Sequence, residues 1–430
     1  MTGAQSDGWE GAGQGIAAKA DTSTQTRALD TALGIVPPIP CETARSGSSE
    51  VHSYGAPVLA AGLLHKSPVQ ARFDLSEQVY AALDLGTNNC RLLVARPSRR
   101  GFLVIDAFSK IIRLGEGLSH SGALSEAAMS RTIEALRICS AKMARRGVTR
   151  SRLIATEACR IAANGPDFIA RAQRETGLRL EIINRETEAR LAVSGCASLI
   201  DKACDHALIF DIGGGSSEFV WLNLSKSNRV RRVSLQDRVR VQDCIEAWTS
   251  LRLGVVTLAD RFECRHIDEA QFERMVLHVM QQLAGFEAKH QIARSMRNGR
   301  THLLGTSGTV TTIAGVHLGL QAYHRSKVDG CWLNAADIRM ISRRIMTMTY
   351  AQRVAEPCIG PDRADLILAG CAILEAMLRS WPCERLRVAD RGLREGILTT
   401  LIAEDTLRHK REKGVRKPGP ARRLPHLKTI

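Results

Sequence analysis

Several familiar chemistries are missing from this chain, and each absence closes off a class of function. The twelve cysteines include no Cys-x-x-Cys pair and no Cys/His cluster at zinc spacing, so they read as reduced core thiols rather than a disulfide frame or a metal finger. The longest apolar run, Leu366 to Leu374, is closed by Glu375, whereas a bilayer needs about 20 such residues. The N-terminus, MTGAQSDGWEG, has neither a basic start nor an apolar h-region, which places the protein in the cytoplasm without membrane contact. No Gly-Lys-Ser/Thr follows any glycine loop, and GGGSSE lacks the third glycine of the dinucleotide fingerprint, so neither a Walker A loop nor a Rossmann site is expected.

What is present is a chain of 430 residues with a formal net charge of +16, long enough for more than one core. Residues 1–76 are rich in Gly, Ala, Ser, Thr and Pro without a period of 2 or 3.6, the composition of a disordered extension. Residues 408–430 carry nine Lys and Arg against Glu412, half of the net charge. They read as a disordered basic tail suited to a polyanion or nucleic-acid contact.

The folded part is therefore expected over 77–407, with one lobe at 77–200 and a second at 201–407. It opens on three apolar stretches, 79–86, 90–97 and 101–109, separated by short polar turns, which predict consecutive strands. Ser125 predicts the N-cap of a helix that stops before Gly147. A strand near 153–156, a helix over 168–177, a strand at 180–183 and a helix from about Thr187 follow. ALIFDIGGGSSEFVWL then repeats the strand, Asp-x-Gly, turn, strand arrangement of AALDLGTNNCRLLV, with Asp211 lying 127 residues after Asp84. The recurrence predicts a duplicated α/β lobe with a cleft between the copies, although spacing alone does not prove it.

In each copy an acidic residue ends an apolar strand and small residues follow. Gly86, Thr87 and Asn88 in the first turn, and Gly213, Gly214, Gly215, Ser216 and Ser217 in the second, would bring backbone N–H groups and hydroxyls close to anionic oxygens. Asp84 and Asp211 would face a Mg²⁺ ion, which takes oxygen ligands and keeps most of its waters. An Asp-capped β-turn accounts for either motif alone; the matched pair favours phosphate chemistry. A third glycine element, LLGTSGTVTTIAG, leads from a strand into a helix and would offer N-terminal N–H groups near Gly305, Ser307 and Gly308 to an anion. Arg160 is a candidate guanidinium clamp, with Arg190 an alternative source of charge. Glu188 is a candidate for positioning and deprotonating water, with Glu186 beside it.

LDLGTNNCRLLVA, ATEACRIAANG, ETEARL, LIFDIGGGSSEFVW, LGTSGTVTTIAG and ADRGLREGIL, in this order, resemble the exopolyphosphatase/guanosine pentaphosphate phosphatase (Ppx/GppA) family over about residues 78–403. The resemblance implies two ribonuclease-H-like lobes of the actin, sugar kinase and Hsp70 superfamily, closing on Mg²⁺ and phosphate. It places the catalytic glutamate on Glu188, a phosphate-contacting arginine on Arg160, the phosphate loops on Asp84 to Asn88 and Asp211 to Ser217, and a further metal or water ligand on Glu218. Thr87 stands where serine is common, and Thr187 where a second acid often precedes the catalytic one. The C-terminal helical domains of longer relatives have no counterpart, and the chain has no His-Asp dipeptide.

The implied activity is hydrolysis of terminal phosphoanhydride bonds of inorganic polyphosphate, releasing orthophosphate. Alternatives are guanosine pentaphosphate 5′-phosphohydrolysis and a non-catalytic regulator that binds alarmone or polyphosphate. An intact Glu188 argues against the regulator, and ETEAR with GLREGIL argues against a sugar kinase. A homodimer is compatible with this reading.

Overall fold

The computed structural model describes residues 77–99, 101–226, 234–264 and 266–415; the 1–76 extension and the tail beyond 415 lie outside them. The first sheet contains β1 (Tyr80–Leu85), β2 (Asn89–Ser98), β3 (Gly101–Ile111), β4 (Arg150–Ala155) and β5 (Glu181–Ile182) in the order β3-β2-β1-β4-β5. The second contains β6 (His206–Ile212), β7 (Ser217–Asn223), β8 (Ile245–Leu251), β9 (Thr301–Thr306), β10 (Trp332–Asn334) and β11 (Arg385–Ala389) in the order β10-β11-β9-β6-β7-β8. Read from β8, the second order repeats the first and adds β10 at one edge.

The pairing repeats as well. β1 runs antiparallel to β2 and parallel to β4, and β6 runs antiparallel to β7 and parallel to β9. Asp84 sits opposite Arg91 in the first hairpin, and Asp211 opposite Glu218 in the second. The duplication read from two Asp-Gly turns is thus a duplication of whole sheets. β1 and β6 are nearly continuous apolar runs because each is central in its sheet and covered on both faces.

Local sequence explains where the main helices begin. Ser125 Oγ accepts from Ala128 N and starts Glu126–Arg145; Asn184 accepts from Thr187 N at 2.8 Å and starts Arg185–Cys196. The latter helix lies between the sheets. Its Leu191 and Ala192 pack with Tyr80, Ala82 and Ile154 of the first sheet, while Ala189, Val193 and Cys196 pack with Ala207, Ile209 and Val220 of the second.

Two sequence boundaries need adjustment at the C-terminal end. The last helix, Leu393–Val415, runs eight residues into the stretch read as a disordered tail, because Arg, Lys and Glu are good helix formers there. This helix also crosses back from the 201–407 region to the first sheet, where Leu393, Ile397, Leu398, Leu401 and Ile402 cover Tyr80, Ala82, Leu93 and Ile154. Its far end is tied down where Tyr80 Oη donates to Asp405 Oδ2 at 2.9 Å and Arg150 Nη1 meets Asp405 Oδ1 at 2.9 Å. Where the two helices cross, a Cβ on Gly195 would collide with the carbonyl of Gly392, and one on Gly396 with the carbonyl of Leu191. Only glycine permits this approach. No helix among the described residues is long and apolar enough to cross a membrane.

Candidate active site

The two hairpin turns have the same internal bond. Gly86 N donates to Asn89 O at 2.9 Å, and Gly213 N donates to Ser216 O at 2.9 Å. Their carbonyls are occupied from outside: Ile112 N and Arg113 N donate to Asn88 O, Gly115 N to Thr87 O, Val255 N to Gly213 O and Val256 N to Gly214 O. Among the described residues no backbone carbonyl takes the N–H of Thr87, Asn88, Gly214 or Gly215. Such turns, with acceptors tied back and donors free, form concavities for anions.

The turns meet across the cleft. A Cβ on Gly215 would stand 2.7 Å from Thr87 Oγ1, and one on Gly214 would stand 3.1 Å from Thr87 Cβ. They enclose a chamber of about 120 Å³, roughly ten times what one water requires. Asp84, Gly86, Thr87, Asn88, Glu188, Asp211, Gly213, Gly214, Gly215, Ser216, Glu218, Ser307 and Gly308 line it, so most of the residues singled out in the sequence converge. At the third glycine element Ser307 Oγ accepts from Val310 N at 3.0 Å and caps the helix Gly308–His317, leaving Gly308 at its open N-terminus.

Three candidates are placed elsewhere. Gly305 lies inside β9, where a Cβ would come 2.5 Å from the Phe210 ring; its role is packing. Ser217 turns away from the chamber and donates to Leu253 O at 2.7 Å. Arg160 stands behind the wall rather than on it. Its Nη2 contacts Glu157 at 2.6 Å and Glu188 at 2.9 Å, its Nε donates to Glu157 at 2.9 Å, and its Nη1 donates to Ile183 O at 2.5 Å. With its donors committed to the protein, Arg160 holds two glutamates instead of clamping phosphate.

Sequence reasoning passed over Arg91, Glu157 and Arg363, all on the chamber wall. Arg91 had a readable signal: it occupies the position in the first copy that Glu218 occupies in the second, so the duplicated site faces its two halves with opposite charge. Glu157 is buried between Arg160 and Arg185, with Arg185 Nη2 donating at 2.6 Å. Arg363 reaches in from far along the chain and donates to Thr312 Oγ1 at 2.8 Å.

Electrostatics set the wall apart from the surface. Burial, with the neighbouring Glu218 charge, pushes Glu188 well above the ordinary carboxylate range against the pull of Arg160. Burial raises Asp84 too, takes Asp211 to about 8, and, with Asp211 beside it, takes Glu218 to about 7. Crowded carboxylates of this kind hold protons unless a cation joins them.

The chemistry of the donors suits a hard divalent ion: Asp84, Asp211 and Glu218 would offer carboxylate oxygens, and Asn88 Oδ1 is buried without a hydrogen-bond partner. Among the described residues no three His, Cys, Asp or Glu side chains gather closely enough to hold a metal ion by themselves, so an ion here would need water or substrate for much of its shell, as Mg²⁺ commonly does. The sign of the stability effect follows. Folded Asp211 and Glu218 keep their protons above the unfolded values, so their contribution is complete below about pH 4 and is lost as pH rises through about 7 to 8. A cation that binds the ionised forms offsets that loss. Melting curves in chelator should therefore fall in Tm from pH 5 to pH 8.5, and Mg²⁺ should raise Tm far more at pH 8.5 than at pH 5. An equal Mg²⁺ effect at both values would remove these carboxylates from the site.

Two matched sheets whose glycine turns meet over buried carboxylates define a duplicated, two-lobed α/β fold with an anion chamber between the lobes. The chain belongs to the Ppx/GppA phosphatase family, whose model matches residues 93–404. A Ppx/GppA family member of Aquifex aeolicus is 26% identical over 76% of this chain and 98% of its own, with a TM-score of 0.61. An exopolyphosphatase from Cytophaga hutchinsonii shares the fold at 23% identity and a TM-score of 0.67, over 76% of this chain and 98% of that one.

Proposed function

We propose that this phosphatase removes terminal phosphoryl groups from inorganic polyphosphate and releases orthophosphate, with Glu188 as general base. The observation that carries the substrate choice is a cavity of about 430 Å³ that continues the chamber and is lined by five arginines against three aspartates. Arg91, Arg363 and Arg394 offer charge along a path rather than at one point, as a linear polyanion requires, while Arg391 is paired with Asp329 and Arg325 with Asp390 and Glu395 at its margin.

In this mechanism the chain lies in the arginine cavity with its last phosphoryl group between the turns. N–H groups of Thr87, Asn88, Gly214 and Gly215, with the Ser216 hydroxyl, donate to the equatorial oxygens, whose charge grows in a loose transition state. Water attacks phosphorus in line, its proton passes to Glu188, and the bridging P–O bond breaks with its electron pair leaving on the shortened chain. Burial suits Glu188 to this task by raising its proton affinity, and Arg160 keeps it oriented and ionisable. When bound near Asp84 and Asp211, Mg²⁺ would neutralise charge on the transferred group.

The test is orthophosphate release from polyphosphate of defined length beside guanosine pentaphosphate, with Mg²⁺ present. Higher kcat/KM on polyphosphate is expected. Preference for the pentaphosphate would replace the substrate, and release from neither would end the hydrolytic reading.

A further inference from the structure

A second cavity adjoins the chamber through other residues. It measures about 620 Å³ and meets the chamber at Thr87, Glu157 and Gly215. The arginine cavity meets the chamber instead at Asp84, Arg91, Asp211, Ser307 and Arg363, and no residue lines both outer cavities. Two large spaces with no lining in common therefore open onto the turns that would hold a phosphoryl group, and a nucleophile in the second could reach it without displacing the polyphosphate. A water occupies about 30 Å³ of liquid, so hydrolysis alone leaves most of this second space without a purpose. Its volume falls instead in the range of small-molecule sites.

The lining opposes that of the donor side. Glu157, Asp260 and Glu263 outnumber Arg252 and Arg261, which disfavours a polyanion and an exit path for orthophosphate. Leu118, Ala158, Ile161, Leu253 and Leu258 form an apolar wall, and Ser119, His120, Thr257, His278 and Gln282 supply hydrogen-bonding groups. Both lobes contribute, and Ser119 Oγ reaches Asp260 Oδ2 at 3.4 Å across the gap. An apolar wall with uncharged donors and carboxylate acceptors fits a neutral molecule with a flat apolar body and several hydroxyls.

Resting on the phosphoryl-transfer reading of the chamber, we propose that this cavity is an acceptor site for a neutral nucleoside-like alcohol, making the protein a phosphotransferase as well as a hydrolase. The acceptor hydroxyl oxygen forms the new bond to the terminal phosphorus, and its proton passes to Glu188. The bridging P–O bond breaks, and the electron pair departs on a polyphosphate shorter by one unit. The product is a phosphate monoester, and no other reagent is consumed.

The experiment uses the full chain with Mg²⁺ and polyphosphate, with adenosine or guanosine as acceptor and glycerol as a small polyol, and follows orthophosphate and monoester separately by ³¹P NMR. With a nucleoside, about a tenth or more of the transferred phosphoryl groups should appear as ester, because a bound and oriented hydroxyl competes well with bulk water. Ile161→Trp and Gln282→Trp fill the cavity from positions outside the chamber. Either should suppress ester while orthophosphate release from polyphosphate continues, and melting curves confirm that each folds. Orthophosphate alone at every acceptor concentration would overturn the acceptor site and leave the hydrolase standing. Ester that survives in both folded variants would also overturn it. Silence in both channels would overturn the hydrolytic reading and the acceptor site together.

Discussion

Glu188→Gln is expected to lower kcat by a factor of about 10² to 10⁴ while polyphosphate binding survives, since the amide keeps the shape of the side chain and loses its proton acceptor. The buried carboxylate sits on the chamber wall with Arg160 behind it, so the substitution removes a negative charge from beside an anionic substrate, and KM should hold or fall. Asp84→Asn and Asp211→Asn should differ in kind: their defects should shrink as Mg²⁺ is raised, because they weaken ion retention rather than proton transfer. Kinetics over a Mg²⁺ series separate the two. Retention of most of kcat in Glu188→Gln would pass the base to Glu157 or Glu218, which share the wall.

Gly396→Val is expected to cost about 3 kcal/mol or more and lower Tm by about 5–10 °C. At this crossing an added Cβ meets the Leu191 carbonyl, part of a helix backbone that cannot rotate away as a side chain can. The displaced helix is Arg185–Cys196, which carries Glu188, so turnover should fall more than the unfolded fraction accounts for. Calorimetry with kcat measured well below Tm checks both parts. A Tm indistinguishable from wild type would mean that the helices have room to separate.

Much of this site was legible because its chemistry is local. Each Asp-x-Gly turn advertises itself within six residues, and two copies of one turn announce two lobes before any pairing is known. Contacts that depend on distance along the chain were not legible. Arg363 lies more than 250 residues from Asp84, and nothing near it marks it as part of the wall. Arg160 was misread for a related reason: its residue type suits phosphate, but whether its donors are free depends on Glu157 and Glu188 folding around it. Gly305 shows the opposite error. Its neighbours look like an anion loop, yet it sits one residue before the strand ends, where the Phe210 ring demands a glycine.

The last helix also constrains the order in which this molecule can be made. Synthesis runs from the N-terminus, so the strands of the first sheet leave the ribosome early, but the face carrying Tyr80, Ala82, Leu93 and Ile154, covered in part by Leu191 and Ala192, is closed only when Leu393 to Ile402 arrive. At translation speeds of about 5–20 residues per second that interval lasts roughly 15–60 s. During it part of an apolar sheet face is bare, and its edge strand β3 is open to pairing. The second lobe, whose main core draws on residues 208–388, can close first. The lobe encoded first is thus completed last, and the nascent chain depends on being shielded for the time it takes to translate the rest.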